Sequence, residues 1–447
     1  MMTGAISEVP IRVAADPAEN RETVALARSM ADQLAASLAQ AARENGGVLD
    51  QADTAELAES FTANLLEAYA TSVISQGHSA PDDQVLAALR SAILARVLGL
   101  GGLQALMDDA DIETINANGA DRVFAIRADG TTTTEAPIAP SDQAMVELVR
   151  RLAFSGGEER RFDRGVAKLN AMLPDGSRLF ATVGVSRRPG LSIRKNLLKD
   201  VTLAQLVARG MLGEALAAFL AAVVGAKFNV LISGGTSDGK TTVLRALMNT
   251  LPDTERLVTI EDTYELGLDQ MPERHRDVVA FQAREDNTEG TGAVSQAELV
   301  RWALRMSPDR VIVGELRNDE FIPMCNAMNQ GLDGSAATVH ASSSAQVVER
   351  MINLGLQSPE RLAPEATVRL LGSAVDFVVQ LGRQRDKTRV VTSVREVCGS
   401  DGLQLISNEI WRPGPDRRAA PYIQLQPQSL ERLADAGYDP ATWEEVA

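Results

Sequence analysis

The sequence predicts an α/β domain built on a covered, mostly parallel sheet, preceded by a smaller α+β domain and an N-terminal helical segment. Three observations predict it. From about residue 211 onward, Val/Ile/Leu-rich runs recur between helical stretches and are continuous rather than alternating, as strands covered on both faces must be. One such run passes through a glycine-rich loop straight into a helix. Between residues 103 and 197 the texture changes to short alternating runs punctuated by turns, an α+β pattern.

Taken in order, residues 1–20 have no clear period and read as a flexible tail. Residues 21–100 hold three Ala-rich helical stretches, at 21–46, 54–75 and 82–98, separated by glycines; they read as a small helical bundle, or as linker helices that merely pack. Residues 101–197 form the α+β domain. Its strands fall at 112–118, 122–128, 168–173, 177–185 and 191–194, with a helix from Ser141, a natural cap, to 152. A linker at 195–200 leads to residues 198–420, the α/β domain. Helices are predicted at 203–212, 211–225, 241–250, 296–306, 319–329 and 344–354. Strands are predicted at 228–232, 256–260, 277–282, 310–313, 336–340 and 376–381, with a hairpin at 389–411. Residues 421–447 read as a C-terminal tail with a short helix at 429–437.

Composition bounds the function. The 60 acidic and 44 basic side chains of the 447-residue chain leave a formal net charge of -16, against a primary role in binding nucleic acid or an anionic membrane, which needs positive potential. The two cysteines, Cys325 and Cys398, are in no metal-ligand spacing and fit a reduced compartment. The longest apolar run, 215–226, is well short of the ~20 residues that span a bilayer, so a membrane link would run through a partner. These features point to a cytoplasmic protein.

Four motifs carry chemistry. Gly234-Gly235-Thr236-Ser237-Asp238-Gly239-Lys240-Thr241, continuing into Thr242, satisfies the P-loop pattern between an apolar strand and a helix. Glycines let successive N–H groups turn onto phosphate oxygens, and the helix N-terminus adds positive potential. Lys240 neutralises the outer phosphates, and the Thr241 hydroxyl is a Mg²⁺ ligand. Asp238 places negative charge beside a polyanion, so its side chain is expected to turn away from the phosphates. Second, the strand 310–313 delivers Gly314-Glu315 at its carboxyl end, where ligands bind in open α/β sheets. Glu315 there is placed to hold Mg²⁺ through water or to polarise an attacking water, and Gly314 stands where such strands usually end in Asp. Third, Glu261, Asp262 and Glu265 cluster past another strand; they serve metal-bound water or general-base chemistry, or simply favour a helix N-terminus. Fourth, His340 ends the strand after Gly334-Ser335, placed to report the γ-phosphate or to serve structure alone.

In this order the four motifs resemble the type II/IV secretion ATPase superfamily. The stretch Leu304-Arg305-Met306-Ser307-Pro308-Asp309-Arg310 with Val313-Gly314-Glu315-Leu316-Arg317 looks most like the Tad (Flp) pilus branch. So do Ala327-Met328-Asn329-Gln330-Gly331, the run from Leu169 to Arg178, and Leu191-Ser192-Ile193-Arg194-Lys195. The likeness spans roughly residues 100 to 400. It implies a RecA-like P-loop ATPase domain, ATP and Mg²⁺ as cofactors, and a homo-hexameric ring at the inner face of the cell membrane, held there by inner-membrane platform proteins. It also implies that arginines of the N-terminal α+β domain reach the phosphates, the matching positions being Arg178 and Arg194. Their planar, permanently charged forks suit a loose, charge-spread transition state. The catalytic set expected from motifs and resemblance is Glu315 or Glu261, Lys240, Arg178, Arg194 and His340. Ser237-Asp238 departs from the family, where a Gly-Ser pair is common. The nearest alternatives are a conjugation or type IV secretion ATPase and a nucleotide-gated scaffold with little hydrolysis.

Overall fold

The computed structural model describes residues 51–97, 100–155, 162–173, 175–195, 200–284 and 291–439, with most positions from 26 to 41. The tail expected at 1–20 and most of the linker expected at 195–200 lie outside the described residues. The chain divides into two compact units, Met1–Lys195 and Asn196–Ala447.

The first unit has two cores. Helices Gln51–Ser75 and Asp83–Val97 bring Leu66, Tyr69 and Val73 against Val85, Leu89 and Ile93, and Met30 and Leu34 join them. The steps of three and four residues put each set on one helix face. Further on, a six-stranded antiparallel sheet comprises β1 (Ile112–Asn118), β2 (Val123–Arg127), β3 (Thr132–Glu135), β4 (Lys168–Met172), β5 (Arg178–Thr182) and β6 (Gly190–Arg194). Its order is β3-β2-β1-β6-β5-β4. Alternation fixes the inner face: Ile115, Ala117, Leu179, Ala181, Leu191 and Ile193 pack on Met145, Leu148 and Leu152 of the helix Asp142–Ser155. Ser141 begins that helix as expected, its Oγ accepting the Ala144 N–H at 3.2 Å.

The second unit is an α/β domain around a nine-stranded sheet. Its strands are β7 (Val230–Gly234), β8 (Arg256–Glu261), β9 (Asp277–Gln282), β10 (Arg310–Leu316), β11 (Ala336–His340), β12 (Phe377–Arg383), β13 (Arg389–Ser400), β14 (Leu405–Pro413) and β15 (Ala419–Pro421). The order is β15-β14-β13-β12-β7-β11-β10-β8-β9. From β12 to β9 neighbouring strands run parallel; β13 to β15 extend the sheet as an antiparallel meander. Continuous apolar runs serve two cores. Ile232, Ile312 and Val379 face the helices Glu214–Gly225 and Lys240–Met248. Their neighbours Leu231, Val311, Val313 and Val378 face Gln296–Ala303, Phe321–Asn329, Val347–Gln357 and Pro364–Ala374. Each fully buried aliphatic side chain contributes about 1.5–3 kcal/mol.

At the amino end of this sheet the fully buried Arg310 guanidinium donates to Val224 O at 2.8 Å and Gly334 O at 3.1 Å and pairs with Glu255 at 2.5 Å. Gly334 has φ +81, and a Cβ there would meet Arg310 Nη1 at 2.2 Å.

The structure adds elements the patterns did not reveal: β3, β15 and the helices Gln104–Asp108 and Pro364–Ala374. It places β7 two residues later than the apolar run suggests. Residues 421–439 pack on the domain, with Leu425 and Leu433 buried in its core, and the expected short helix spans Pro427–Asp435.

Candidate functional site

The four motifs meet at the carboxyl edge of the sheet, on strands adjacent in the order β7, β11, β10, β8. β7 ends at Gly234, which pairs with His340 at the end of β11. Glu315 lies near the end of β10, and Glu261 closes β8.

The glycine-rich loop follows β7. Ser237 and Gly239 have positive φ (+60° and +92°), the alternation that turns successive amides into one concavity. Gly239 is the N-cap of the helix Lys240–Met248, and at its φ a side chain would be strained and would crowd Met211. Gly235 and Thr236 are exposed; Thr241 and Thr242 are half-buried in the helix's first turn. Asp238 is buried and bonded at both carboxylate oxygens. Its Oδ2 accepts the Gly235 N–H at 2.8 Å and its Oδ1 accepts from Arg383 Nε at 2.8 Å.

The buried Lys240 ammonium donates to Gly235 O at 2.9 Å and Gly234 O at 3.3 Å, and lies 3.1 Å from His340 Nδ1. His340 Nε2 is 3.0 Å from Glu315 Oε1. Ammonium, imidazole and carboxylate thus form one line from the first residue of the helix Lys240–Met248 to the tips of β11 and β10. Burial pulls the His340 imidazole below its ordinary value; Lys240 and Arg317 push the same way, against the pull of Glu315. For Glu315, burial pushes the carboxyl up, but the Arg317 hydrogen bond and the charges of Arg317, His340 and Lys240 outweigh it, so it sits below the usual range. Glu315 is therefore an ionised acceptor at neutral pH, and His340 is neutral.

Glu261 is built differently. It is almost fully buried, and its Oε1 accepts the N–H groups of Glu265 and Leu266, both at 3.0 Å. Among the described residues its buried Oε2 has no hydrogen-bond partner. Burial raises this carboxyl to about 8. It also explains Gly314: a Cβ there would stand 3.0 Å from Glu261 Cγ. The Asp usual at this strand position would press on Glu261, which would have to give by a few tenths of an ångström. Asp262 is exposed and faces Arg317 at 3.5 Å, while the charge of Glu265 acts on Glu261.

Arg178 and Arg194 lie directly opposite each other on β5 and β6 of the first unit.

A model of the family described as type II/IV secretion system protein matches residues 99–406. The chain belongs to the type II/IV secretion system protein family. It is similar to a putative conjugal transfer protein of Mycobacterium tuberculosis, 32% identical over 330 residues, covering 72% of this chain and 90% of that one. It is also similar to the conjugal transfer protein TrbB of Rhizobium radiobacter, 28% identical across 67% of this chain and 86% of that one. Among solved structures it is similar to the VirB11 ATPase from the Brucella suis type IV secretion system, with TM-score 0.36 and 26% identity over 66% of this chain and 91% of that one.

In this secretion-family chain three site residues escaped the motif reading. Arg317 donates to Glu315 Oε2 at 2.7 Å and fixes its orientation. Its signal was present, two residues past Glu315 at the end of the strand. Arg383 and Arg389 both donate to Ser237 O at 2.8 Å from about 150 residues downstream, and nothing local in the sequence announces them. Among the described residues, no helix is long and apolar enough to cross a membrane.

Proposed function

We propose that this protein hydrolyses ATP as the hexameric motor of a Tad-type pilus assembly machine or a related secretion apparatus, working on an inner-membrane platform. The observation that carries the hydrolase reading is the Lys240–His340–Glu315 line beside the glycine-rich loop. The loop amides and Lys240 would grip the triphosphate, Lys240 leaving the Gly234 and Gly235 carbonyls for phosphate oxygens. Glu315, ionised and aimed by Arg317, orients the attacking water and draws off its proton. His340, between Lys240 and Glu315, senses the γ-phosphate. Glu261 holds the turn after β8 and is a positioning group rather than the base, because one oxygen is committed to two amides. Arg178 and Arg194 supply further positive charge to the transferring phosphoryl.

Magnesium fits the donor set: the Thr241 hydroxyl and the Glu315 carboxylate are hard oxygen donors, suited to an ion that keeps several waters. When bound, the ion neutralises charge between the outer phosphates. The test is phosphate release by the full chain with ATP and magnesium. Nucleotide binding without turnover would replace the motor by a nucleotide-gated scaffold. Particle size with a nonhydrolysable ATP analogue tests the ring.

A conjugation or type IV secretion role is the second reading, favoured by the names of the M. tuberculosis and R. radiobacter relatives. Deleting the gene and scoring pilus formation against DNA transfer separates the two.

A further inference from the structure

The glycine-rich loop is gripped from outside by the β12–β13 hairpin. Arg383, at the end of β12, bonds twice: Nε to Asp238 Oδ1 and Nη2 to Ser237 O, both at 2.8 Å. Arg389, at the start of β13, donates its Nε to the same Ser237 carbonyl at 2.8 Å. Asp238 passes the grip inward through the Gly235 N–H. The carbonyl so anchored belongs to a residue with unfavourable backbone geometry: Ser237 has φ +60, a conformation that glycine adopts freely and serine does not.

We propose that Arg383 is a positioning residue for the nucleotide loop: with Arg389 and through Asp238, it holds Ser237 in the left-handed conformation that the phosphate cradle needs. Two arginines on one carbonyl, plus a carboxylate bridging loop and hairpin, replace the conformational freedom of a glycine. The cradle's shape then depends on the hairpin as well as on the loop's own sequence. This inference rests on the loop being the nucleotide site, so the experiment separates the two ideas.

The full chain and its Arg383→Ala, Arg383→Lys, Ser237→Gly, Ser237→Gly/Arg383→Ala, Ser237→Gly/Arg383→Lys and Lys240→Ala variants are titrated with a fluorescent N-methylanthraniloyl-ATP and magnesium, and phosphate release is followed. Arg383→Ala is expected to weaken binding by about tenfold, the effect of losing charge-assisted hydrogen bonds. It should raise KM more than it lowers kcat. Lys keeps the charge but loses the fork and should recover only part of the loss. The decisive arm is rescue. In the Ser237→Gly background the same Arg383→Ala change should cost less than about twofold, because glycine needs no brace. An equal loss in both backgrounds overturns the proposal, since Arg383 would then act by charge or stability alone. Unaltered binding in Arg383→Ala with binding lost in Lys240→Ala also overturns it but leaves the site intact. Unaltered binding in Lys240→Ala removes the site itself. If Arg383→Ala fails to fold, the Arg383→Lys loss measured with and without Ser237→Gly decides between the same two outcomes.

Discussion

The two sheets of this chain use their residues in opposite ways. The six-stranded sheet buries one face under the helices Gln104–Asp108 and Asp142–Ser155 and leaves Phe124, Phe180 and Ser192 on the other, so its strands other than β3 alternate and its functional candidates, Arg178 and Arg194, stand on a face. The nine-stranded sheet is covered on both faces across its parallel part, so its strands offer chemistry only at their tips. Gly234, His340, Glu315 and Glu261 are tip residues on four successive strands. A covered parallel sheet concentrates unlike groups along one edge, whereas an antiparallel sheet with a free face spreads like groups across a surface.

That contrast predicts a graded series of effects. Lys240→Ala should be the most damaging change at this edge, cutting ATP turnover by about a thousandfold or more in a phosphate-release assay. Near-normal turnover would move the chemistry off this edge. Glu315→Gln should still bind ATP in a fluorescence titration while kcat falls about 10²–10⁴-fold; an unchanged rate would hand the base role to Glu261. On the face of the other sheet, Arg178→Ala and Arg194→Ala should each lower kcat by about ten- to a hundredfold, with lysine a poor substitute, as expected of charges that act only on the transition state. A loss matching that of Lys240→Ala would erase the distinction between tip and face.

The smallest effect concerns stability. Glu261, raised to about 8 by burial, is protonated in the folded chain at pH values where the unfolded chain has released the proton. The folded state therefore holds more protons between about 4.5 and 8, and stability falls as pH rises through that window. The melting temperature should drop from pH 5 to pH 9, by the equivalent of roughly 2–4 kcal/mol at most. Glu261→Gln should flatten that slope, and parallel slopes in the two proteins would refute the buried acid.

Much of this was legible in the chain itself. Continuous apolar runs such as Val230–Ile232 and Val311–Val313 are the direct imprint of a sheet covered twice, and the glycine pattern names its own loop. β3 left no such imprint because it is an edge strand of three threonines and a glutamate, with no apolar alternation to read. The helix Pro364–Ala374 did carry signals, Pro at its first position and Glu365 in its first turn, but its buried stripe is thin: Val368, Leu371 and Ala374. The parts of the site that local pattern could not reveal are relational. The hairpin arginines act on Ser237 across some 150 residues, and Gly314 is explained only by what Glu261 occupies beside it.

Arg310 and Gly334 are, in effect, one trait written in two places. The guanidinium occupies the space where any side chain at 334 would begin. Neither position is free to drift by itself. A lineage that exchanged the arginine for a shorter apolar residue would relieve the crowding at 334 but not its left-handed backbone, which still favours glycine, while one that changed the glycine first would have to displace a charge from the floor of the sheet.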